Sequence, residues 1–245
     1  MCYNVAIYTD AGTLQRRFDA KFLRPDYFEP RYHASAFSTP YLPVVSSDDV
    51  HAIQLLRWGL VPHWVKDGET AGKMRLKTLN ARSETIHEKP SFRYAIRDRR
   101  CLVLVDGFYE WREFKNKKYP YFIRLVDHAP FALAGIWDSW KDTETGVVEA
   151  TFSIITTRAN PLLELIHNTR KRMPVILEPN DEKEWLSEDL SIEGIDSLLR
   201  PYDDERMEAR SVSRLITARG KSSNVPEVMD EFVYPELEPL GGESD

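Results

Sequence analysis

The stretch Cys101-Leu-Val-Leu-Val-Asp106-Gly107-Phe108-Tyr109-Glu110-Trp111 decides the fold class. Five apolar, largely branched residues run unbroken into Asp106-Gly107, a turn signal, and aromatic residues follow at once. That is a buried strand and a corner, not a helix. Working outward, similar short runs read as strands at 3–8, 50–57, 121–125, 131–136 and 151–156, with Asn116-Lys117-Lys118 marking another turn. Helices are fewer and shorter. Asn160 caps a segment that opens on Pro161 and runs through Leu162, Leu163 and Ile166 to His167. Asp181 and Glu184 form a capping box ahead of Trp185 and Leu186, and Ser191 caps a segment through Leu198 and Leu199. Strands outnumber helices without strict alternation. The expectation is one α+β domain with a largely antiparallel, curled or barrel-like sheet flanked by short helices. It spans 1–220, and 221–245 is an acidic, mostly extended C-terminal tail.

Composition narrows the function classes. The chain has 245 residues, 42% of them hydrophobic, with eleven Tyr, eleven Phe and six Trp, which is too much core-forming material for a disordered protein. No run approaches the roughly 18 apolar residues of a membrane span. Met1-Cys2-Tyr3-Asn4-Val5-Ala6, followed by Asp10, lacks the layout of a signal peptide, so the expected location is cytoplasmic. Two cysteines 99 positions apart make no disulfide framework. The net charge of −6 is unevenly spread: −6 over 221–245 and −8 over 181–208, against nine bases and three acids over 71–100. A locally basic body with acidic appendages is open to an anionic partner, although solvated surface charge would give the same count.

Cys2 is the most informative position. Cysteine is a small second residue that permits removal of the initiator methionine, which leaves an α-amine and a thiol on one residue. Their reference pKa values, about 8 and about 8.5, make both partly nucleophilic at neutral pH. An aldehyde would form a Schiff base with the amine, and the thiol could close on the imine carbon to give a thiazolidine. A small hydrophobe opening a strand is the plainer reading of the same position.

Four further segments bear on that choice. In Trp58-Gly-Leu-Val-Pro-His-Trp64 two tryptophans bracket a Gly/Pro turn; one reading is a core corner, the other puts Trp64 outside as a stacking platform for a base. In Asn80-Ala-Arg82-Ser-Glu-Thr85 an amide and a guanidinium share one face of an extended chain; the amide can orient an amine or thiol, and Arg82 can fork onto a phosphate. Glu110, between Tyr109 and Trp111, is set in surroundings that raise a carboxyl pKa, or else it pairs with a neighbouring base. Phe152-Ser-Ile-Ile-Thr156-Thr-Arg-Ala-Asn160 leads through the short helix to Ile166-His167 and then to Arg172-Met-Pro-Val-Ile-Leu177. A histidine at a helix end commonly caps carbonyls. The histidine and cysteine spacings fit no structural zinc site, so no metal is expected.

Taken together, Met1-Cys2, the tryptophan turn, Asn80–Thr85, Arg100–Trp111, Ile154-Ile-Thr-Thr-x-Ala-Asn160, Ile166-His167 and Arg172–Leu177 resemble the SRAP family, the SOS-response-associated peptidases or abasic-site-processing proteins. The resemblance covers residues 2 to 220. It implies a single α+β domain and a DNA-repair enzyme that covalently captures abasic sites in single-stranded DNA through its N-terminal cysteine. On this resemblance Cys2 is the nucleophile, Asn80 positions it, Glu110 shuttles protons, and His167 assists opening of the abasic sugar. Arg82, Trp64 and Arg172 are DNA-contacting positions, and Thr156 lies near the site. The resemblance calls for no cofactor and no obligate protein partner. The alternative is a thiol peptidase using Cys2 with Glu110 and His167, removal of its own Met1 being the minimal activity. Two departures stand out. Tyr3-Asn4 replaces the Gly-Arg of many members, and Arg172 follows His167 by five positions where many members have two intervening residues or fewer, which lets Arg170 or Lys171 take its place.

Overall fold

The computed structural model describes residues 2–218, 220–237 and 240. Among these, the chain order is β1 (Asn4–Ile7), α1 (Ala11–Phe18), β2 (Lys21–Phe22), β3 (Arg31–Ser35), β4 (Tyr41–Ser46), β5 (Asp49–Trp58), α2 (Gly68–Arg75) and β6 (Asn80–Arg82). Then come α3 (Ala95–Asp98), β7 (Arg100–Val105), β8 (Gly107–Phe114), β9 (Lys117–Leu125), β10 (Phe131–Lys141) and β11 (Val148–Arg158). The last elements are α4 (Pro161–Ile166), β12 (Arg172–Pro174), α5 (Pro179–Leu186), α6 (Ile192–Leu198) and β13 (Met207–Ser211).

A closed circuit of five strands forms the centre: β4 pairs with β5 and β7, β7 with β10, β10 with β11, and β11 returns to β5. Four of these pairings are antiparallel. The last, Thr151 opposite Arg57 and Phe152 opposite Trp58, is parallel and closes the barrel. The second sheet is antiparallel, in the order β13-β9-β8-β1-β3. The fold is therefore mixed α+β with a barrel-like sheet, as its strand-rich sequence implies.

Asp106 explains how one continuous stretch serves both sheets. β7 lies in the barrel and is buried along its whole length. At Asp106 the chain bends and continues as β8 in the second sheet. The Asp106 carboxylate accepts from the Tyr8 and Thr9 amides at 2.6 and 2.8 Å and from the Thr9 hydroxyl at 2.5 Å, fixing the exit of β1 against the corner. Gly107 is not a turn residue but the first residue of β8. A Cβ there would lie 2.5 Å from the Phe122 ring and 2.7 Å from the Ile123 carbonyl, so only glycine admits the approach of β9.

The helices follow their caps. Asn160 Oδ1 accepts from Leu163 N at 2.9 Å, and Ser191 Oγ from Gly194 N at 3.1 Å. The Asp181–Glu184 capping box does not form: α5 opens two residues earlier at Pro179, whose ring presets φ and lacks the amide that a first turn leaves unpaired.

The described residues after Gly220 pack onto the body. Val228 and Tyr234 are buried, Val212 bridges Glu231, and Tyr234 Oη donates to the Val212 carbonyl at 2.8 Å. Apolar residues interleaved with the acids cause this, which a charge count conceals. Residues 238, 239 and 241–245 of the expected tail lie outside the described residues. No helix among the described residues is long and apolar enough to cross a membrane.

Candidate active site

Cys2 lies two residues before β1. The antiparallel run Val5 opposite Phe108 and Ala6 opposite Gly107, continued three residues, brings Cys2 opposite Glu110–Trp111 midway along β8. Its thiol is fully buried. Burial pushes the thiol pKa well up, the nearby Glu110 carboxylate adds to that, and a hydrogen bond with the Asn4 backbone opposes it.

Glu110 is 4% exposed, and burial lifts its carboxyl from 4.5 to about 7. His167 is the C-cap of α4, its amide bonded to the Leu163 carbonyl at 2.7 Å. Its Nδ1 lies 2.8 Å from the Arg172 carbonyl and 3.8 Å from Glu110 Oε1. A carbonyl can only accept, so Nδ1 carries the proton and Nε2 is the acceptor nitrogen. Burial lowers the His167 pKa to about 4, keeping the ring neutral near pH 7.

The longer turn after His167 is built around that histidine. The His167 carbonyl accepts from the amides of Arg170 and Lys171, and Lys171 takes a left-handed φ of 48° to allow it. Asn168 extends β8 in place of a strand: its Oδ1 accepts from Glu113 N at 3.0 Å and its Nδ2 donates to Glu113 O at 2.8 Å.

β6 runs parallel to β11, with Asn80 opposite Ile154 and Arg82 opposite Thr156. Both polar atoms of the Asn80 side chain are buried with no well-formed hydrogen bond. Arg82 is exposed. Glu84, from the same motif, makes a two-pronged bond to Arg172 at 2.8 and 3.0 Å. Burial works against the Glu84 charge, but Arg172 holds its carboxyl below the usual range. Arg172 also donates to the Thr156 carbonyl at 2.6 Å and to its hydroxyl. This guanidinium is thus committed to protein partners, and fully buried Thr156 holds Arg172 without reaching solvent. Of the bases after His167, Arg170 is the exposed one that lines the cleft.

Two clefts meet at Tyr3. The larger, about 900 Å³, is lined by Tyr3, Asn4, His33, Phe37, Glu110 and His167, with Arg170, Lys118 and Arg214 at its margin. The smaller, about 390 Å³, is lined by Tyr3, Asn80, Arg82, Lys77 and Lys89. The structure thus gathers Cys2, Asn80, Arg82, Glu110 and His167 around one residue. It does not bring Trp64 into either cleft. Trp64 is 44% exposed, while Trp58, the other tryptophan of that turn, is core: it stacks on Phe152 and donates to the Leu79 carbonyl at 2.8 Å. Sequence reading passed over Phe37, 63% exposed and packed on Tyr3 at 5.0 Å, and also His33. Neither stands in a recognisable pattern. Among the described residues, no three His, Cys, Asp or Glu side chains gather as a metal site.

Residues 1–219 match the sequence model of the family described as SOS response associated peptidase (SRAP). The abasic site processing protein YoqW of Bacillus subtilis (strain 168) is 37% identical over 233 residues, covering 94% of this chain and 99% of that one. The abasic site processing protein HMCES of Gallus gallus is 31% identical over 198 residues, covering 70% of this chain and 58% of that one. A crystal structure of a protein from Bacteroides thetaiotaomicron superposes with a TM-score of 0.89 at 38% identity, covering 95% of this chain and all of that one.

Proposed function

This chain belongs to the SRAP family, and on that premise we propose that it is a DNA-repair protein that processes abasic sites by capturing them covalently in single-stranded DNA through Cys2. The observation that carries the reading is the convergence on Cys2 of a carboxyl poised near neutrality, Glu110, and a neutral histidine, His167, between two clefts edged with exposed bases.

The steps follow from the groups present. An abasic sugar is mostly a closed hemiacetal. His167 Nε2, an acceptor, takes the anomeric hydroxyl proton while a protonated Glu110 donates to the ring oxygen, which frees the aldehyde. The amine of Cys2, exposed by removal of Met1, adds to the aldehyde carbon; Glu110, now ionised, takes the ammonium proton, and His167 returns its own to the oxygen. Loss of water, its oxygen protonated through Glu110, leaves the imine. The thiol then adds across the imine, sulfur to carbon and proton to nitrogen, closing a thiazolidine; the net change is loss of one water. Asn80, its buried amide set beside Tyr3 in the smaller cleft, orients the amine. Arg82, Arg170, Lys77 and Lys89 meet backbone phosphates, and Trp64 stacks beyond the clefts. Arg172 and Thr156 brace His167 from behind. A general thiol peptidase is less well served, because it needs the thiolate as its first nucleophile and burial drives the Cys2 thiol away from its ionised form.

The test is intact mass after incubation with an oligonucleotide bearing one abasic site. The expected product is the chain without Met1, plus the oligonucleotide, minus one water, stable to heat. Cys2→Ser should give only a borohydride-trappable Schiff base. Retention of Met1 in an active protein, or equal adduct stability from Cys2→Ser, would overturn the thiazolidine.

A further inference from the structure

The strand that carries Cys2 is tied to the C-terminal segment through one imidazole. His33, on β3, lines the same cleft as Glu110 and His167. Its Nε2 lies 2.8 Å from Asn4 Oδ1, and its Nδ1 lies 2.7 Å from Ser223 Oγ. An amide oxygen only accepts, so Nε2 holds the proton and Nδ1 accepts from the Ser223 hydroxyl. Burial lowers the His33 pKa to about 4, so the ring is neutral near pH 7, with one proton and one lone pair, both engaged.

The surroundings fix the ring from other sides. It stands edge-on to Tyr109 at 5.6 Å and 82°, and Tyr109 Oη donates to the Tyr32 carbonyl at 2.7 Å. The residue after Ser223, Asn224, accepts from the Tyr32 amide at 2.8 Å, so the C-terminal segment is bonded to β3 at consecutive residues. At the other end, the Asn4 backbone hydrogen-bonds the Cys2 thiol. An unbroken path therefore runs from Ser223 through His33 and Asn4 to the reacting residue. The Asn4 side chain is turned to His33.

We infer that His33 is a positioning residue for Cys2: by holding Asn4 it sets the attack geometry of the N-terminal residue, and through Ser223 it makes that geometry depend on seating of the C-terminal segment. The inference rests on Cys2 being the reacting group. A displaced nucleophile loses rate at saturation, whereas a lost DNA contact loses affinity, so the two are separable.

The experiment is single-turnover adduct formation on an oligonucleotide with one abasic site, across DNA concentrations, for the full chain and three variants, each with a melting curve. His33→Ala should lower the saturating rate by ~10–100-fold, the scale of misplacing a reacting group, with the half-saturating concentration unchanged. His33→Gln, whose Nε2–H reaches the same place, should recover most of the rate. Ser223→Ala, a surface change, should slow the saturating rate less than His33→Ala. An unchanged rate in His33→Ala, a loss confined to half-saturation, or a loss that His33→Gln does not restore would each overturn the inference. If His33→Ala fails to melt cooperatively, Ser223→Ala decides: a wild-type saturating rate overturns it. If the wild type itself forms no adduct, the abasic-site reading fails, and the inference with it. An adduct from wild type with unimpaired variants removes the inference alone.

Discussion

Glu110 shows what burial does to an ordinary carboxyl. With its pKa pushed up to about 7 it divides near neutrality between acid and carboxylate, which suits a group that must both give and take protons. Glu110→Gln keeps the shape and removes the titration. Adduct formation should slow by ~10²-fold, the scale of one general acid–base group, and reversal should slow with it. The pH–rate profile should lose its inflection near 7; a time course matching wild type at every pH would make Glu110 a purely structural carboxylate. Stability carries a second signature. A carboxyl whose pKa is raised on folding binds its proton more tightly when folded, so its contribution is full below 4.5 and is lost as pH rises through about 7. Relative to Glu110→Gln, the wild-type melting temperature should fall between pH 5 and pH 8.

At the scale of elements, the parallel seam between β5 and β11 is held by charge as well as by pairing. Glu149 on β11 accepts from Arg57 on β5 at 3.1 Å, from Tyr41 on β4 at 2.8 Å and from Arg75 at the end of α2, whose side chain is almost fully buried. Burial disfavours the Glu149 charge, but Tyr41, Arg75 and Arg57 together hold its carboxyl below the usual range. Arg75 in turn is met by Gly59, whose φ of 105° lets the backbone approach where a Cβ would lie 2.7 Å from the Arg75 carbonyl oxygen. Glu149→Ala leaves the buried Arg75 guanidinium without its counter-charge, while Arg57 stays partly solvated, and should cost about 3 kcal/mol in denaturant unfolding. Glu69→Ala, which removes an exposed i,i+4 partner of Lys73, should cost less than about 0.5 kcal/mol. Equal losses would show that the seam rests on strand pairing alone. None of this was visible in the sequence, because Tyr41, Arg57, Arg75 and Glu149 are brought together only by closure.

For the molecule as a whole, the acidic C-terminal segment changes meaning between sequence and structure. Read as charge, 221–245 looks dispensable; in the fold, Val228 and Tyr234 are buried and Ser223 and Asn224 complete the edge of β3. Truncation after Gly220 should cost roughly 3–5 kcal/mol, since each large buried side chain contributes ~1.5–3 kcal/mol. In thermal melts that is a fall of about 10 °C for a chain of this size. It should also lower the saturating rate of adduct formation. A truncated chain with wild-type melting and rate would return the segment to the status of an appendage.

The sequence by itself determined the longer strands, because branched and aromatic runs such as 101–105 and 151–156 have one sensible use, and it grounds the proposed chemistry, because the amine and thiol that Cys2 would offer after removal of Met1 belong to that residue alone. It singled out Asn80, Arg82, Glu110 and His167 by their motifs, and the fold brings them together around Tyr3. It could not give β3, β4, β6 or β12, short strands whose pairing partners lie far along the chain, nor the start of α5, where Pro179 overrode a good capping box. Only the tertiary structure decided which atoms are buried, and burial sets the rest: the pKa of Glu110, the neutral tautomer of His167, the withdrawal of Arg172 and Thr156 from solvent, and the use of His33 and Ser223 to hold Asn4. Desolvation and hydrogen-bond geometry depend on neighbours brought together by barrel closure, and those neighbours are not adjacent in the chain.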